Sequence, residues 1–197
     1  MAPRNILSSV CVFLLLACAG VSAGAQDVAA GQQKYGYCAT CHGIEGRSFK
    51  SLYPILAGQT GPYLFLQLND FKQGRRSDPS MDTVVTQLST QDMLDLAGYF
   101  ASLKPGPGRF KPDPIKAARG KAMEAKLACT GCHPRNDDVL MRKSSRIVGQ
   151  HHDYLVKQLR DFRNGRRTND GGTMRSITRL LTDEDIDDLG NYFAGLE

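Results

Sequence analysis

Two copies of one five-residue pattern constrain this chain more than any other feature. They read Cys38-Ala39-Thr40-Cys41-His42 and Cys129-Thr130-Gly131-Cys132-His133. This C-x-x-C-H pattern is the attachment sequence for c-type haem. Two thiols on one helical turn can reach both vinyl groups of a porphyrin, and the next residue, histidine, then lies under the iron. We therefore predict two covalently bound haem c groups.

The motif cysteines admit two other interpretations. An exported protein with an even cysteine count commonly forms disulfides, but a bridge within each pair would leave both adjacent histidines unexplained. Two C-x-x-C pairs could also hold zinc, although 87 residues separate them here, far more than in a zinc ribbon. Haem explains cysteines and histidines together. The predicted thioether positions are Cys38, Cys41, Cys129 and Cys132.

The first 25 residues have the features of a secretory signal peptide. Arg4 supplies a positive charge, residues 6–17 are apolar but short for a membrane span, and Ala23-Gly24-Ala25 is typical of a cleavage site. The mature protein is therefore predicted to be periplasmic. A lipid anchor on Cys18 is the alternative, because Leu15-Leu16-Ala17-Cys18 partly matches a bacterial lipobox.

The haem motifs lie inside a long internal repeat. Shifting the sequence by 91 positions superimposes the two motifs and many of the residues C-terminal to them, and a two-residue insertion then changes the offset to 93. Matched positions include Gly58-Gln59 with Gly149-Gln150, Tyr63-Leu64 with Tyr154-Leu155, Gln67-Leu68 with Gln158-Leu159, and Gly74-Arg75-Arg76 with Gly165-Arg166-Arg167. The chain is therefore a tandem duplication.

The duplication predicts two domains of one fold. The segment between them carries four prolines, which disfavour helix and favour an extended chain. The predicted divisions are a signal peptide at 1–25, an N-terminal domain at 26–104 (the first repeat), a Pro/Gly-rich linker at 105–114 and a C-terminal domain at 115–197 (the second repeat).

Each repeat reads as helical, and period-two strand patterns are absent. Apolar positions recur at helical spacing, and capping signatures begin the last helix of each repeat at Ser89-x-x-Asp92 and Thr182-x-x-Asp185. We predict an all-α protein. Units of this size have little apolar core of their own, so haem is expected to complete it. The predicted helices are 27–37, 61–73, 89–103, 115–128, 152–164 and 182–196.

The second axial position of each iron requires another ligand. The first repeat has no histidine outside its motif, and methionine is the usual alternative. Met81 and Met174 occupy the same slot of the repeat, 39 and 41 residues after the motif histidines, in stretches predicted to be irregular. The predicted axial iron ligands are His42 with Met81 and His133 with Met174.

Three other groups of polar residues have weaker interpretations. His151 and His152 are interpreted as polar residues at a helix start. The paired arginines, Arg75-Arg76 and Arg166-Arg167, could neutralise haem propionates, line the interface between domains or form a solvated helix end.

Charge is divided unequally between the two halves. Residues 26–104 hold seven Lys/Arg and seven Asp/Glu, whereas residues 105–197 hold 17 and 13. A basic half could steer docking onto an acidic partner. Nucleic acid is not expected as a partner, because the chain has no tryptophan, no Lys/Arg-rich run and no basic strip interleaved with aromatic residues.

Together these residues resemble the cytochrome c4 family over essentially the whole mature chain. The resemblance implies two tandem class I cytochrome c domains, each wrapped around one haem. Two departures occur in the second repeat: Pro134 replaces the glycine expected after the motif, and Ser145 stands where Pro54 would map. The matching segments in the first repeat are Cys38-x-x-Cys41-His42-Gly43, Pro54–Gln59, Tyr63–Arg76, Met81 and Leu96–Leu103.

The resemblance also implies function. Such a protein is an electron carrier rather than an enzyme: a quinol-oxidising complex or another donor reduces it, and a membrane haem-copper terminal oxidase oxidises it. These partners imply peripheral membrane contact and no small-molecule substrate. In the family the Pro54 carbonyl accepts a hydrogen bond from the haem-ligating histidine, and a carbonyl at Ser145 can do the same from a less fixed position.

Two alternative functions remain open at this point. The chain could be the dihaem cytochrome subunit of a dehydrogenase complex that oxidises sulfide, thiosulfate or an alcohol. It could also be a dihaem peroxidase, which requires an iron with a vacant or labile position. Two methionine-ligated irons argue against the peroxidase.

Overall fold

The computed structural model describes residues 25–106, 109–133 and 143–196. Within these ranges every regular element is a helix, and no β-strand occurs. The prediction of an all-α protein is confirmed. Nearly all of the predicted signal segment, including Cys18, lies outside the described residues, as does Pro134.

Five α-helices form the first repeat, and a single 3₁₀ turn follows its haem motif. Five further α-helices lie in the described part of the second repeat. The first set is α1 (Val28–Lys34), α2 (Gly36–His42), α3 (Gly61–Lys72), α4 (Pro79–Thr86) and α5 (Thr90–Ser102), with the 3₁₀ turn at Ile44–Gly46. The second is α6 (Pro114–Leu127), α7 (Cys129–Cys132), α8 (His152–Arg163), α9 (Thr173–Thr178) and α10 (Asp183–Ala194).

Side-chain caps fix where four of the five longer helices begin, the exception being α8. Both predicted capping boxes are present, at Ser89 before α5 and at Thr182 before α10. Asp113 caps α6 by accepting hydrogen bonds from two backbone amides, and Pro114 is the first residue of that helix. The prediction of extended chain through Pro114 was therefore wrong at its last residue. Proline suits the first helical position because its missing N–H would be unpaired there anyway.

The two candidate axial methionines lie on short helices rather than in irregular stretches. Met81 lies in α4, which begins at Pro79 after an Asp78 cap, and Met174 lies in α9. Helices of eight and six residues are too short to show a clear apolar period, which is why the sequence pattern missed them. The predicted helix at 27–37 is also divided, since α1 ends at Lys34 and α2 begins at Gly36.

Each repeat closes by packing its leading helix across its last helix. Gly31 of α1 lies so close to α5 that a Cβ atom would sit 2.1 Å from the Asp95 carbonyl oxygen. Gly120 of α6 has the same relation to Asp188 of α10, also at 2.1 Å. Only glycine permits this approach, so the crossing depends on one residue in each repeat.

An ion pair reinforces each of these crossings. The Lys34 ammonium lies 2.8 Å from both Asp92 and Asp95 of α5. In the second repeat, the Arg119 guanidinium makes a two-pronged contact with Asp188 at 2.6 and 2.7 Å. The carboxylates of Asp95 and Asp188 are nearly buried, so their pairing with a cation offsets the cost of removing them from water.

The apolar core consists of two separate clusters, one in each repeat. Both clusters are modest in size, and both border the same large cavity. Buried members of the first are Leu64, Leu96, Ala97, Tyr99 and Phe100. Those of the second are Val148, Leu155, Val156, Leu181, Ile186, Leu189, Tyr192, Phe193 and Ala194.

A reciprocal pair of glutamines joins the two repeats. The Gln59 side chain donates to the Arg146 carbonyl at 3.0 Å and accepts from the Arg146 amide at 2.6 Å. The Gln150 side chain makes the same pair of bonds with the backbone of Ile55, at 3.0 and 2.9 Å. Each glutamine thus extends the backbone hydrogen bonding of the other repeat, and the interface has approximate two-fold symmetry.

Candidate functional site

The first haem motif lies on α2. Cys38 and Cys41 are three positions apart on this helix and therefore share a face. His42 is its last residue and is buried, with 7% of its surface exposed. Gly43 then adopts a φ of 75°, which ends the helix immediately after the motif.

The imidazole of His42 is held by a backbone carbonyl. Its Nδ1 atom donates to the Pro54 carbonyl oxygen at 2.9 Å, so the ring proton lies on Nδ1 and Nε2 keeps its lone pair. Burial lowers the pKa of His42, while the bond to Pro54 opposes that shift. The side chain is therefore neutral at physiological pH, as a metal-ligating histidine must be.

The second motif has a different local backbone but the same histidine geometry. Ala128 adopts a left-handed conformation with φ 52° and separates α6 from the one-turn α7 that carries Cys129 and Cys132. The Nδ1 atom of His133 donates to the Ser145 carbonyl at 2.7 Å. This carbonyl accepts the histidine hydrogen bond as the Pro54 carbonyl does in the first repeat, but its backbone is not restricted by a proline ring. Burial lowers the pKa of His133 as well.

The four motif cysteines form no disulfide with one another. Burial raises the pKa of the Cys38 and Cys129 thiols to about 11, so neither is an exposed, reactive thiolate. The described residues contain no group of three or more His, Cys, Asp or Glu side chains that could hold a metal ion. The disulfide and zinc interpretations therefore find no support in the geometry.

One continuous cavity of about 1090 Å³ reaches from one haem motif to the other. Its walls include the cysteines and the histidine of both motifs, together with Met81 and Met174. Apolar side chains from equivalent positions of the two repeats line it. They are Leu64, Leu68, Phe71, Leu96 and Phe100 in the first repeat, and Leu155, Leu159, Phe162, Leu189 and Phe193 in the second.

A second reciprocal contact, between arginines and the opposite repeat, borders this cavity. Arg76 donates to Tyr154 at 2.9 Å and to Gln158 at 3.0 Å, both on α8. Arg167 donates to Tyr63 at 3.2 Å and to Gln67 at 2.8 Å, both on α3. Of the roles left open for these arginines, the structure therefore places Arg76 and Arg167 at the interface.

The guanidinium groups of Arg76 and Arg167 bond to uncharged oxygens. Within the described residues their hydrogen-bond partners are amide and phenol oxygens, and neither group forms an ion pair with a carboxylate. Their sequence neighbours differ, since Arg75 and Arg166 form ion pairs with Asp70 and Asp161, both at 2.8 Å. A buried cation that borders a cavity and has no bonded carboxylate favours an anionic group in that cavity.

The interface also uses residues whose role the sequence did not indicate. His151 precedes α8, as predicted, but its Nε2 atom also bonds to the Ser48 carbonyl of the first repeat at 3.0 Å. His152 begins α8 and, within the second repeat rather than across the interface, contacts Asp187 of α10 at 3.0 Å. The sequence marked Gln59 and Gln150 only as matched positions in the repeat. That match was its one indication that both residues bond to the backbone of the opposite repeat.

Comparisons with known proteins show which family this chain belongs to. The cytochrome c family model matches residues 28–104. Cytochrome c4 of Pseudomonas aeruginosa is 41% identical over 195 residues, which cover 95% of this chain and 97% of that protein. The chain belongs to the cytochrome c4 family. Members of the cytochrome c4 family are dihaem electron-transfer proteins, so this chain carries covalently bound haem c and exchanges electrons with redox protein partners.

Two further likenesses bear on fold and partners. The structure of reduced recombinant cytochrome c4 from Pseudomonas stutzeri has a TM-score of 0.80 at 39% identity, covering 88% of this chain and 100% of that one. This likeness confirms the class I cytochrome c fold. A thiosulfate dehydrogenase electron acceptor from Stutzerimonas stutzeri is 32% identical over 175 residues, covering 81% of this chain and 78% of that protein.

The residues present fit the haem groups that cytochrome c4 proteins carry. The neutral imidazoles, each with an available Nε2 atom, suit the iron, and the apolar walls suit the porphyrin faces. The two guanidinium groups without a bonded carboxylate suit the propionates. Among the helices of the described ranges, none is long and apolar enough to cross a membrane.

Proposed function

We propose that this chain is a periplasmic dihaem electron carrier that delivers electrons to a membrane haem-copper terminal oxidase. The observation that carries the proposal is a continuous cavity lined by both haem motifs and by both repeat-matched methionines. When bound, each haem supplies one Fe(III)/Fe(II) couple. The division into domains at 26–104 and 115–197 assigns one haem to each.

The residues proposed for haem attachment and iron ligation are equivalent in the two repeats. Cys38 and Cys41, and likewise Cys129 and Cys132, form the thioethers in the two sites. The Nε2 atoms of the motif histidines supply one axial ligand each, because their Nδ1 atoms are already bonded to carbonyls. The sulfur atoms of the two methionines supply the other. The resulting axial pairs are His42 with Met81 and His133 with Met174.

This ligation favours electron transfer over catalysis. A methionine–histidine pair raises the reduction potential of haem iron. Both axial positions are then filled, which leaves no site at which a substrate can bind the metal. Arg76 and Arg167 offset the negative charge of the propionates, and the apolar walls exclude water from the porphyrin faces.

Periplasmic location rests on the sequence of the first 25 residues. The proposed cleavage after Ala25 immediately precedes the folded domain, since α1 begins at Val28. A periplasmic cytochrome can reach the outer face of the inner membrane, where it can contact both a quinol-oxidising complex and a terminal oxidase. Mass spectrometry of the exported protein would test the processing, because an anchored form would begin at a lipidated Cys18.

Reoxidation by native membranes tests the proposed acceptor. The purified holoprotein is reduced, mixed with native membranes under air and followed by absorbance with and without cyanide. Rapid, cyanide-sensitive reoxidation is expected. Persistent reduction in the presence of an oxidase that remains active with another donor would contradict delivery to a terminal oxidase.

A second candidate is the electron acceptor of a thiosulfate dehydrogenase. The observation that favours it is the 32% identity to a thiosulfate dehydrogenase electron acceptor across 81% of this chain. This role concerns the source of electrons, so it is compatible with the same two haems. Stopped-flow mixing of the oxidised protein with thiosulfate and thiosulfate dehydrogenase distinguishes it: fast reduction supports this donor, and no reduction excludes it.

A further inference from the structure

Two glutamine oxygens are each shared by two arginines at the interface between the repeats. The Oε1 atom of Gln67 accepts from Arg76 at 2.7 Å and from Arg167 at 2.8 Å. The Oε1 atom of Gln158 accepts from the same two guanidinium groups, at 3.0 and 2.7 Å. An amide oxygen has two lone pairs and can accept both bonds. These four bonds close a ring of two cations and two amides, the arginine–glutamine ring.

Each guanidinium of the arginine–glutamine ring is also held by its own repeat. The Arg76 guanidinium lies 4.5 Å from the centroid of the Phe71 ring. The Arg167 guanidinium lies at the same distance from the centroid of the Phe162 ring. All four residues of the arginine–glutamine ring line the cavity that both haem motifs border. Stacking on an aromatic face and a planar fork of donors together fix where each cation lies.

The arginine–glutamine ring places two like charges next to each other where solvent has little access. Both guanidinium groups bond to the same oxygen atoms, and Arg167 is only 7% exposed, so water screens their repulsion poorly. A guanidinium has five donors, whereas within the described residues Arg76 makes three side-chain hydrogen bonds and Arg167 makes four. The ring therefore carries two positive charges and has donors left for an anion.

We propose that the arginine–glutamine ring is a single counter-charge for both haems, so that each arginine raises the reduction potential of both irons. This inference rests on the proposed dihaem function, in which the haem propionates are the anions that the cavity receives. A cation near a haem disfavours the additional positive charge of the oxidised iron and so raises the reduction potential. Because each arginine bonds to both repeats, neither arginine belongs to one haem alone.

Arg76→Gln and Arg167→Gln, made one at a time in the holoprotein, test this sharing. Each substitution removes one positive charge and keeps an amide donor at the interface. In each variant the oxidised-to-reduced ratio of both haems at a fixed applied potential should rise about three- to tenfold. This change corresponds to a fall of about 30–60 mV for a one-electron couple. A redox titration followed by NMR measures the two haems separately, because each haem has its own shifted methyl signals.

Arg75→Gln and Arg166→Gln are the matched controls. They remove the same charge one residue earlier in the chain, outside the arginine–glutamine ring. The side chains of Arg75 and Arg166 are 51% and 60% exposed, and each is paired with a carboxylate of its own repeat. Because solvent screens these two groups, any shift should be smaller and confined to the haem of the same repeat.

Arg76→Lys separates the effect of charge from that of structure. Lysine keeps the positive charge but lacks the planar fork that bonds to both glutamines, so both reduction potentials should stay close to those of the unaltered protein. If Arg76→Lys lowered both potentials as much as Arg76→Gln, the cause would be an opened interface, and the shared counter-charge would be refuted. Hydrogen exchange of the Arg146 amide, which donates to Gln59 of the other repeat, reports such opening.

A shift confined to one haem in either glutamine variant of Arg76 or Arg167 would assign that arginine to a single haem and overturn the sharing. Unchanged potentials in both variants would show that the arginine–glutamine ring is not a counter-charge at all. Failure of the proposed function looks different, because the unaltered protein would then lack two low-spin haems. Haem content and the low-spin spectrum are therefore measured first, in the unaltered protein and in every variant.

Discussion

Removing one interface glutamine should loosen the contact between the two repeats at a distance from the substitution. Gln150 is 6% exposed, and its side chain makes two hydrogen bonds to the backbone of Ile55 in the other repeat. Gln150→Ala leaves the Ile55 amide and carbonyl without those partners while the interface stays closed. The penalty disappears when the interface opens and water reaches both groups.

The expected magnitude comes from the two lost bonds. An unsatisfied buried polar group costs about 1–3 kcal/mol, and the partly exposed groups of Ile55 belong near the lower end of that range. The free energy of opening should therefore fall by about 2–3 kcal/mol. Since about 1.4 kcal/mol is a factor of ten, the open population should rise by about 30- to 150-fold.

Amide hydrogen exchange in the holoprotein measures this opening. The informative probe is the Arg146 amide, because it donates to Gln59, which Gln150→Ala leaves in place. Its exchange should accelerate by the same factor of about 30 to 150 if the interface opens as one unit. Gln87→Ala is the control, since Gln87 is exposed and its side chain bonds to the neighbouring residue at 3.3 Å rather than across the interface.

A purely local effect would refute this reasoning. In that case the Ile55 amide would exchange faster in Gln150→Ala, but the Arg146 amide would keep its original protection. The reciprocal glutamines would then be independent surface contacts, and the two repeats would be held together by other groups. Equal haem content in both variants is required for the comparison.

Three further predictions concern ligation, packing and pH. Met81→Ala and Met174→Ala should each remove one low-spin methionine–histidine EPR signal and leave the other; retention of both signals would show that the assigned methionine is not the ligand. Gly31→Ala should destabilise the holoprotein by about 1–3 kcal/mol in thermal denaturation, because α5 leaves no room for a Cβ atom, whereas Gly36→Ala, with no neighbour within 4 Å, should not. An adjacent ammonium group lowers the pKa of Asp92 from 3.8 to about 2, so its stabilisation is present above pH 3.8 and is lost as the pH falls toward 2. Asp92→Asn should flatten the stability profile in that window, and an unchanged acid profile would contradict the assignment.

The repeat made much of the fold and site predictable. Helix starts at Ser89 and Thr182 depend on local capping chemistry, which needs only a few residues of context. The haem motifs and matched methionines likewise depend on spacing along the chain. The short helices that carry Met81 and Met174 could not be predicted in this way, because helices of one or two turns are determined by caps and packing rather than by periodicity.

Contacts between the repeats could not be read from the sequence offset. An offset pairs equivalent positions such as Gln59 and Gln150, but these two residues do not contact each other. Gln59 bonds to the backbone of Arg146, and Gln150 bonds to the backbone of Ile55. Those contacts depend on how two folded units face one another. The carbonyl role of Ser145, by contrast, could be inferred from its alignment with Pro54, because that role is local to one repeat.

The axial coordination of the two irons is the central claim, and X-ray absorption at the iron edge tests it most directly. The holoprotein should contain two irons per chain, and each iron should show one sulfur ligand in its coordination sphere together with porphyrin and imidazole nitrogens. In Met81→Ala the average sulfur content should fall by half. Two irons with nitrogen ligands alone, or an average sulfur content that Met81→Ala leaves unchanged, would contradict the proposed His42/Met81 and His133/Met174 pairs.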